Sequence, residues 1–400
     1  MSAIDWIFLA VTVFAALYGV AGLLSVVWFV RRPASATHAC PPVTVLKPLR
    51  GDDGCLLENL RTFCEQDYPE CDVIFGIRAA DDAAVGTVQR LLRDFRDSRL
   101  ELVVDDRAIG SNLKISNVAN IARRARHETV IVADGDMRVG PDYVRAVVAP
   151  LEDPSVGLVT CLYSGVAAGG LASTLGAMFI NEWFLPAALF GTHLEPLHHA
   201  FGATIACRRE TLRMIGGFEA VADHLADDCV LARLVTARGL RVVLSHYVVT
   251  NMVAEPDLRT LFFRELRWAR TFRMLRPGSY FCSLFTHGVP WSLLWLAVGA
   301  AAGPAFIATA FHLSFRALAR IALYRCLRRS TSWRETCLVP VRDAVTFAIA
   351  VLSFFGNTVR WNGDRLRVGR DGRLAPQASD GALEAALRRS PVQSKRGDLA

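Results

Sequence analysis

The sequence contains no Gly-x-Gly-x-x-Gly turn, no Gly-x-Ser-x-Gly elbow and no matched pair of Cys-x-x-Cys motifs. Without the first there is no dinucleotide fingerprint, and without the second hydrolase chemistry has little support. The ten cysteines lack zinc-ligand spacing, and in a cytoplasmic domain they are expected to stay reduced. Also missing is a basic stripe interleaved with aromatics. A net charge of +7 and a pI near 9 therefore do not point to nucleic acid. The arginines cluster instead beside apolar segments, where attraction to anionic lipid head groups is the natural role.

Apolar residues are abundant, at 52% of the chain. That is high for a soluble enzyme of 400 residues and places part of the chain in lipid. From Trp6 to Val30 no charge interrupts a run long enough to cross a hydrocarbon core of roughly 30 Å as a helix. Asp5 precedes this run and Arg31-Arg32 follow it, the reverse of a signal peptide's basic flank, so an uncleaved anchor over residues 1–32 is expected. The positive-inside tendency then puts the rest of the chain in the cytoplasm. A second apolar region, Phe281 to Tyr324, has the length of two spans joined near Gly303-Pro304, and Arg325, Arg328 and Arg329 return it to the same side. The run from Ala344 to Gly356 is too short to span and is expected to be interfacial or re-entrant, completing a membrane region over 281–357. A basic, partly disordered tail over 358–400 follows.

Between the membrane segments, β-rich runs alternate with helix-period runs, the pattern of a mostly parallel sheet covered by helices over residues 40–275. The expected strands are Val43 to Leu46, Val73 to Ile77, Leu100 to Val104, Val130 to Ala133, Gly157 to Leu162 and Val242 to Leu244. The expected helices are Leu56 to Glu65, Ala84 to Phe95, Ile115 to Ala125 and Pro141 to Ala149. The stretch from Leu171 to Gly191 carries one charge, Glu182, and is broken by Pro186. It suits an interfacial helix or a buried core helix equally.

Asp134-Gly135-Asp136 lies at the carboxyl end of an apolar strand, where open α/β sheets bind ligands. Two carboxylates there can hold a divalent cation, Mg²⁺ or Mn²⁺, against a diphosphate, with Asp136 on the metal and Asp134 on the nucleotide or sugar. Asp81-Asp82 follows another strand, and one of the two can accept hydrogen bonds from a base or ribose; a helix cap is the alternative. Lys114, just before a helix, is a further donor to phosphate, or else a solvated lysine. Asp227-Asp228 precedes a helix-period run, and Asp228 is the candidate general base for an attacking hydroxyl. In Arg264-x-x-Arg267-Trp268 the spacing of three places both guanidinium groups on one helix face, able to clamp phosphate, with Trp268 against acceptor or sugar. His198-His199 lack an acidic partner at ligand spacing and are expected to line a pocket or cap a turn.

These elements, in this order, resemble the family 2 type glycosyltransferases of the ceramide glucosyltransferase branch. The resemblance takes in Val45 to Gly51, Asp81-Asp82, Asn112 to Asn117, Asp134 to Val139, Gly202 to Arg209, Gly216-Gly217-Phe218, Leu225 to Asp228 and Arg264 to Trp268. It implies an α/β GT-A domain between N-terminal and C-terminal transmembrane helices. It also implies an inverting transfer of one hexose, glucose or N-acetylglucosamine, from a UDP-sugar to a lipid hydroxyl. In that scheme Asp82 and Asp134 contact the donor, Asp136 the metal, Asp228 is the base, and Arg264, Arg267 and Trp268 complete the site. Leu158 to Tyr163, Ala222 to Asp228 and Arg264 to Arg273 look most similar to the bacterial hopanoid-biosynthesis subgroup, although Arg264 stands where that subgroup often has His. Both a hopanoid and a ceramide acceptor stay open, on the cytoplasmic face of a bacterial-type inner membrane. A processive polysaccharide synthase shares the Arg-x-x-Arg-Trp element but needs more membrane segments, and a non-catalytic lipid-binding scaffold would show no turnover.

Overall fold

A computed structural model of the chain describes residues 1–32, 39–95, 99–299, 301–361, 364–369 and 372–376. The elements in chain order are α1 (Ala3–Val30), β1 (Val43–Pro48), α2 (Leu56–Cys64), β2 (Cys71–Ile77), α3 (Ala83–Asp94), β3 (Leu100–Val104), α4 (Leu113–Ala122), β4 (Thr129–Ala133), β5 (Met137–Arg138) and α5 (Tyr143–Val148). Then come β6 (Val156–Ala167), α6 (Gly170–Phe179), α7 (Leu185–Leu194), β7 (Thr204–Arg208), α8 (Arg209–Met214), α9 (Asp227–Ala237), β8 (Arg241–Val253) and α10 (Leu258–Leu275). The last are α11 (Pro277–Ser283), α12 (Gly288–Val298), α13 (Ala302–Cys326), α14 (Trp333–Thr336), α15 (Val339–Leu352), β9 (Thr358–Trp361), β10 (Asp364–Val368) and β11 (Leu374–Pro376).

The main sheet has the order β3-β2-β1-β4-β7-β6-β8-β5. Its first four strands are parallel; β1, β2 and β4 are buried on both faces, while β3 at the edge is only half-buried. The second half departs from the expected parallel pattern. β7, absent from the sequence reading, enters antiparallel between β4 and β6, and β5 pairs antiparallel with β8. Thr204–Arg208 is short and mixed, so a strand of five residues gives little periodicity to detect. β8 runs far beyond Val242 to Leu244, because polar residues such as Ser245, His246 and Asn251 interrupt its apolar pattern. One core packs α2, α3 and α5 on one face of the sheet, around Phe63, Phe75, Tyr143 and Val159; another packs α4 and α9 on the opposite face, around Leu46, Ile121, Ile205 and Leu231.

Among the described residues two helices, α1 and α13, are long and apolar enough to cross a membrane. The segments Pro277–Thr286 and Gly288–Val298 are bent by 60° to one another, as in a broken span or a re-entrant loop. The expected first span after Phe281 corresponds to this bent pair, and α13 begins at Ala302, close to the expected break near Gly303-Pro304. Pro304 sits in the first turn of α13, where its missing N–H costs no helical hydrogen bond. α15, at 14 residues, covers about 21 Å and is short for a span.

Leu171 to Gly191 folds as α6, a π-turn at Ile180–Phe184, and α7. The segment is mostly buried. α6 lies close on β6, since a Cβ on Gly165 would come within 2.9 Å of the Ala177 Cα. Asn181 completes that contact by bonding both the N–H and the carbonyl of Gly165, at 2.8 and 2.9 Å. Leu185 and Leu189 pack with Val26 and Phe29 of α1 and Leu323 and Tyr324 of α13. The segment thus joins the sheet to α1 and α13. A small sheet, β11-β10-β9, sits beside the loop before α9: Leu225 N–H donates to Gly372, and Leu374 N–H donates to Asp223. The expected tail over 358–400 thus begins with the three strands of this small sheet, and its residues beyond Pro376 lie outside the described residues.

Candidate active site

An open cleft of about 850 Å³ runs along the carboxyl ends of β1, β2 and β4. Asp82, Lys114, Asp134, Asp136, Asp228, Arg264, Arg267 and Trp268 all line it, so the eight residues singled out from sequence converge; Asp81 does not line it. Asp82 also does what the alternative reading required. Its Oδ1 accepts from Ala84 N–H at 2.9 Å as the cap of α3, and from Gly51 N–H at 2.8 Å, tying the β1 loop to the rim.

The acidic turn is held from behind. Lys47, fully buried on β1, donates its ammonium to the Asp134 carbonyl and stands 3.6 Å over the Phe63 ring. Burial pulls its pKa down to about 7, against the opposing charges of Asp134 and Asp136. Gly135 leaves room for Leu49, whose Cδ2 would lie 3.1 Å from a Cβ there. Asp136 accepts from Asn251 Nδ2 at 2.8 Å. Burial and then the neighbouring Asp134 charge raise the Asp136 pKa, and the Asn251 hydrogen bond only partly counters them.

Lys114 and Asp134 form an ion pair at 2.6 Å. Asn112 caps α4 through Ile115 N–H at 3.0 Å, and its amide donates to the Asp227 carboxylate at 3.2 Å, which locks the start of α9 to the start of α4. Asp228, in the first turn of α9, has its pKa pushed up to about 7 by burial and then by Asp227, with Lys114 opposing. Gly202 marks where the groups meet. A Cβ there would lie 3.4 Å from Asp228 Oδ2, 3.6 Å from Lys114 Nζ and 3.7 Å from Asp134 Oδ2.

The facing wall is α10, capped by Asp257 through Thr260 N–H at 2.7 Å. Arg264, Arg267, Trp268, Thr271, Phe272 and Leu275 line the cleft at helical spacing, one stripe of a single face. Arg264 pairs with Glu255 and lies 5.0 Å from the centre of the Trp268 ring, while its buried Nε and Nη2 have no hydrogen-bond partner among the described residues. Burial, then the Arg264 charge, lowers the Arg267 pKa to about 10. Such cationic groups, poised at a cleft that also holds carboxylates, suit a ligand of mixed charge, a diphosphate with its counter-cation.

Sequence reading missed the aromatic end of the cleft, formed by Tyr163, Phe179, Phe184 and Phe201, because apolar positions on strands and helices look like core. His199 joins that end, edge-on to Phe201, as a pocket-lining residue.

A mixed sheet with an acidic turn at its strand ends, faced by a basic and aromatic helix, is the architecture of the GT-A glycosyltransferase class. The chain belongs to Glycosyl transferase family 21, whose model matches residues 7–374. It is similar to ceramide glucosyltransferase 1 of Caenorhabditis elegans, 23% identical over 238 residues that cover 59% of this chain and 51% of that protein. To ceramide glucosyltransferase 3 of the same organism it is 22% identical over 231 residues, 58% of this chain and 50% of that one. The chain thus spans about half the length of these curated relatives. Among solved structures it is similar to the mannosyltransferase PcManGT from Pyrobaculum calidifontis in complex with GDP-Man and Mn²⁺. That match has a TM-score of 0.49 and 21% identity, covering 87% of this chain and 99% of that one.

Proposed function

We propose that the chain is a membrane-bound inverting glycosyltransferase. It moves one hexose, glucose or N-acetylglucosamine, from a UDP-sugar to the hydroxyl of a lipid acceptor, a hopanoid or a ceramide-type sphingolipid. The observation that carries this reading is the meeting of Asp134, Lys114 and Asp228 around Gly202, opposite Arg264, Arg267 and Trp268. The base and ribose fit the end lined by Leu49, Gly51, Arg78 and Asp82; the lipid fits the aromatic end, whose Phe184 packs against the cluster that Leu185 and Leu189 form with α1 and α13. The site belongs on the cytoplasmic face of a bacterial-type inner membrane, with α1 as anchor.

The residues present fit a divalent cation. Asp134 and Asp136 offer hard oxygen donors, and Asp136 is buried beside the Asp134 charge; both effects raise its pKa, and a bound cation would oppose them. No cluster of three or more protein ligands exists among the described residues, which suits Mg²⁺ or Mn²⁺ bound through one or two carboxylates and completed by substrate phosphates and water. When bound, the cation would offset the charge of the departing diphosphate.

The protein's own part is positional and protolytic. Arg264 and Arg267 hold phosphate oxygens with planar forks, and Lys114 adds a third positive charge from the opposite wall. Asp228 takes the proton from the acceptor hydroxyl as that oxygen attacks the anomeric carbon, and the single displacement inverts it. Trp268 and Phe179, with ring centres 6.1 Å apart, form an apolar wall of the cleft beside the clamp. The test is incubation of the purified protein with several UDP-sugars, Mn²⁺, and ceramide and hopanoid acceptors, followed by mass analysis of the lipids. A lipid gaining one hexose or N-acetylhexosamine supports the reading; polymer alone, or no sugar on any lipid, overturns it.

A further inference from the structure

Helix α10 has two working faces. One lines the cleft with Arg264, Arg267 and Trp268; on the other, Leu261 packs with Ala172, Leu175 and Met178 of α6 and Val339 of α15. On that second face Glu265 is buried, and it receives a bidentate bond from Arg342 of α15, with Nη1 at 2.9 Å and Nη2 at 2.7 Å. Arg342 is wholly buried and spends its other donors on the Leu175 carbonyl of α6 at 3.3 Å and on Thr346 Oγ1 at 3.0 Å. One side chain therefore fixes α10, α6 and α15 together.

The next residue continues the chain of pairs. Asp343 receives Arg316 of α13 at 2.8 Å and Trp183 Nε1 at 3.0 Å, and Glu182 in the π-turn receives both Arg316 and Arg320 of α13. Buried charges thus run without a gap from a membrane-length helix, through adjacent residues of α15, to the residue between Arg264 and Leu266. Burying a forked pair is poor value for stability, since an apolar pair of similar volume often does as well. A planar, bidentate lock does fix rotation and axial register, which a greasy contact does not.

We propose that Arg342 is a positioning residue: by gripping Glu265 it sets the rotation of α10 that presents Arg264, Arg267 and Trp268 to the cleft, and it ties that rotation to the membrane helices. The consequence for the site rests on the reading of Arg264 and Arg267 as the diphosphate clamp. The lock itself does not.

The test uses the full chain in lipid nanodiscs. The double variant Glu265→Gln with Arg342→Met removes both charges without leaving one buried and unpaired, and the swap Glu265→Arg with Arg342→Glu restores the pair in reverse. Hydrogen exchange across 258–275 reports the lock, and UDP with Mn²⁺ is the binding probe. The neutral variant is expected to exchange at least tenfold faster in 258–275, with β1 and β4 unchanged, and to bind UDP about tenfold more weakly. The swap is expected to recover both. Unchanged exchange in the neutral variant, or a folded swap that recovers neither property, overturns the proposal. If the unmodified chain fails to bind UDP, the diphosphate reading falls, and the exchange result still decides whether Arg342 locks α10.

Discussion

The Lys114 ammonium lies 2.6 Å from the Asp134 carboxylate, in a pair whose side chains are only 25% and 29% exposed. Burial opposes the lysine charge, but Asp134, Asp227 and Asp228 together outweigh it and hold the pKa of Lys114 above its ordinary value. Lys114 is therefore charged throughout the physiological range, and an arriving diphosphate must share it with Asp134. Lys114→Met is expected to weaken UDP binding by about tenfold, the loss of one charge-assisted bond. Calorimetric titration measures it, and unchanged affinity would remove Lys114 from the donor site.

Asp228→Asn keeps the size and one acceptor oxygen while abolishing the base. Transfer is expected to fall by roughly 10² to 10⁴, with UDP affinity within a few-fold of the unmodified chain. Lipid product formation and nucleotide titration separate the two effects. A variant that transfers at the original rate would show that another group takes the proton.

With its pKa near 7, Asp228 is only half deprotonated at neutral pH in the free protein. A base works in its deprotonated form, so kcat/KM is expected to rise with pH through about 7 and level off above it. Stability moves the other way. The folded chain retains a proton that the unfolded carboxyl, with its ordinary value near 4, has released, so this group's contribution falls as pH rises from about 4 to about 7. A rate profile already flat below about pH 5 would exclude this assignment.

Gly202 has room for a methyl group at ordinary contact distance from three charged atoms, and that methyl would occupy the point where they meet. Gly202→Ala is expected to lower turnover by at least tenfold, on the scale of a misplaced reacting group, while leaving the thermal midpoint within about 2 °C. Paired activity and melting measurements decide whether the space is functional.

Arg267→Lys keeps a positive charge but loses the planar fork. The expected result is a rise in donor KM of about tenfold with little change in melting, read from initial rates over a series of UDP-sugar concentrations. An unchanged KM would mean that Arg267 does not meet the diphosphate.

How much of this was legible in the chain depends on where each signal lives. Asp134 and Asp136 announce themselves because carboxylates directly after Val130 to Ala133 break an apolar run at the strand end. The i, i+3, i+4 spacing of Arg264, Arg267 and Trp268 encodes their shared face in the same way. Phe179, Phe184 and Phe201 carry no such mark, since an aromatic on a buried element looks the same whether it faces core or cleft. The ladder from Arg316 and Arg320 through Asp343 and Arg342 to Glu265 was equally hidden. Pairs separated by 27 to 138 positions have no local pattern, and only the packing of α13, α15 and α10 brings them together.

The wide turn at Ile180–Phe184 holds one residue more than a regular helix would place there. Deleting one residue from α6 would let the segment rewind to an even pitch, with the residues between the deletion and the turn each moved by about 100° around the axis. Glu182 would then lose its view of Arg316 and Arg320, and Asn181 its hold on Gly165. The length of α6 is thus constrained together with the identity of the buried residues around it, Asn181 and Glu182 above all.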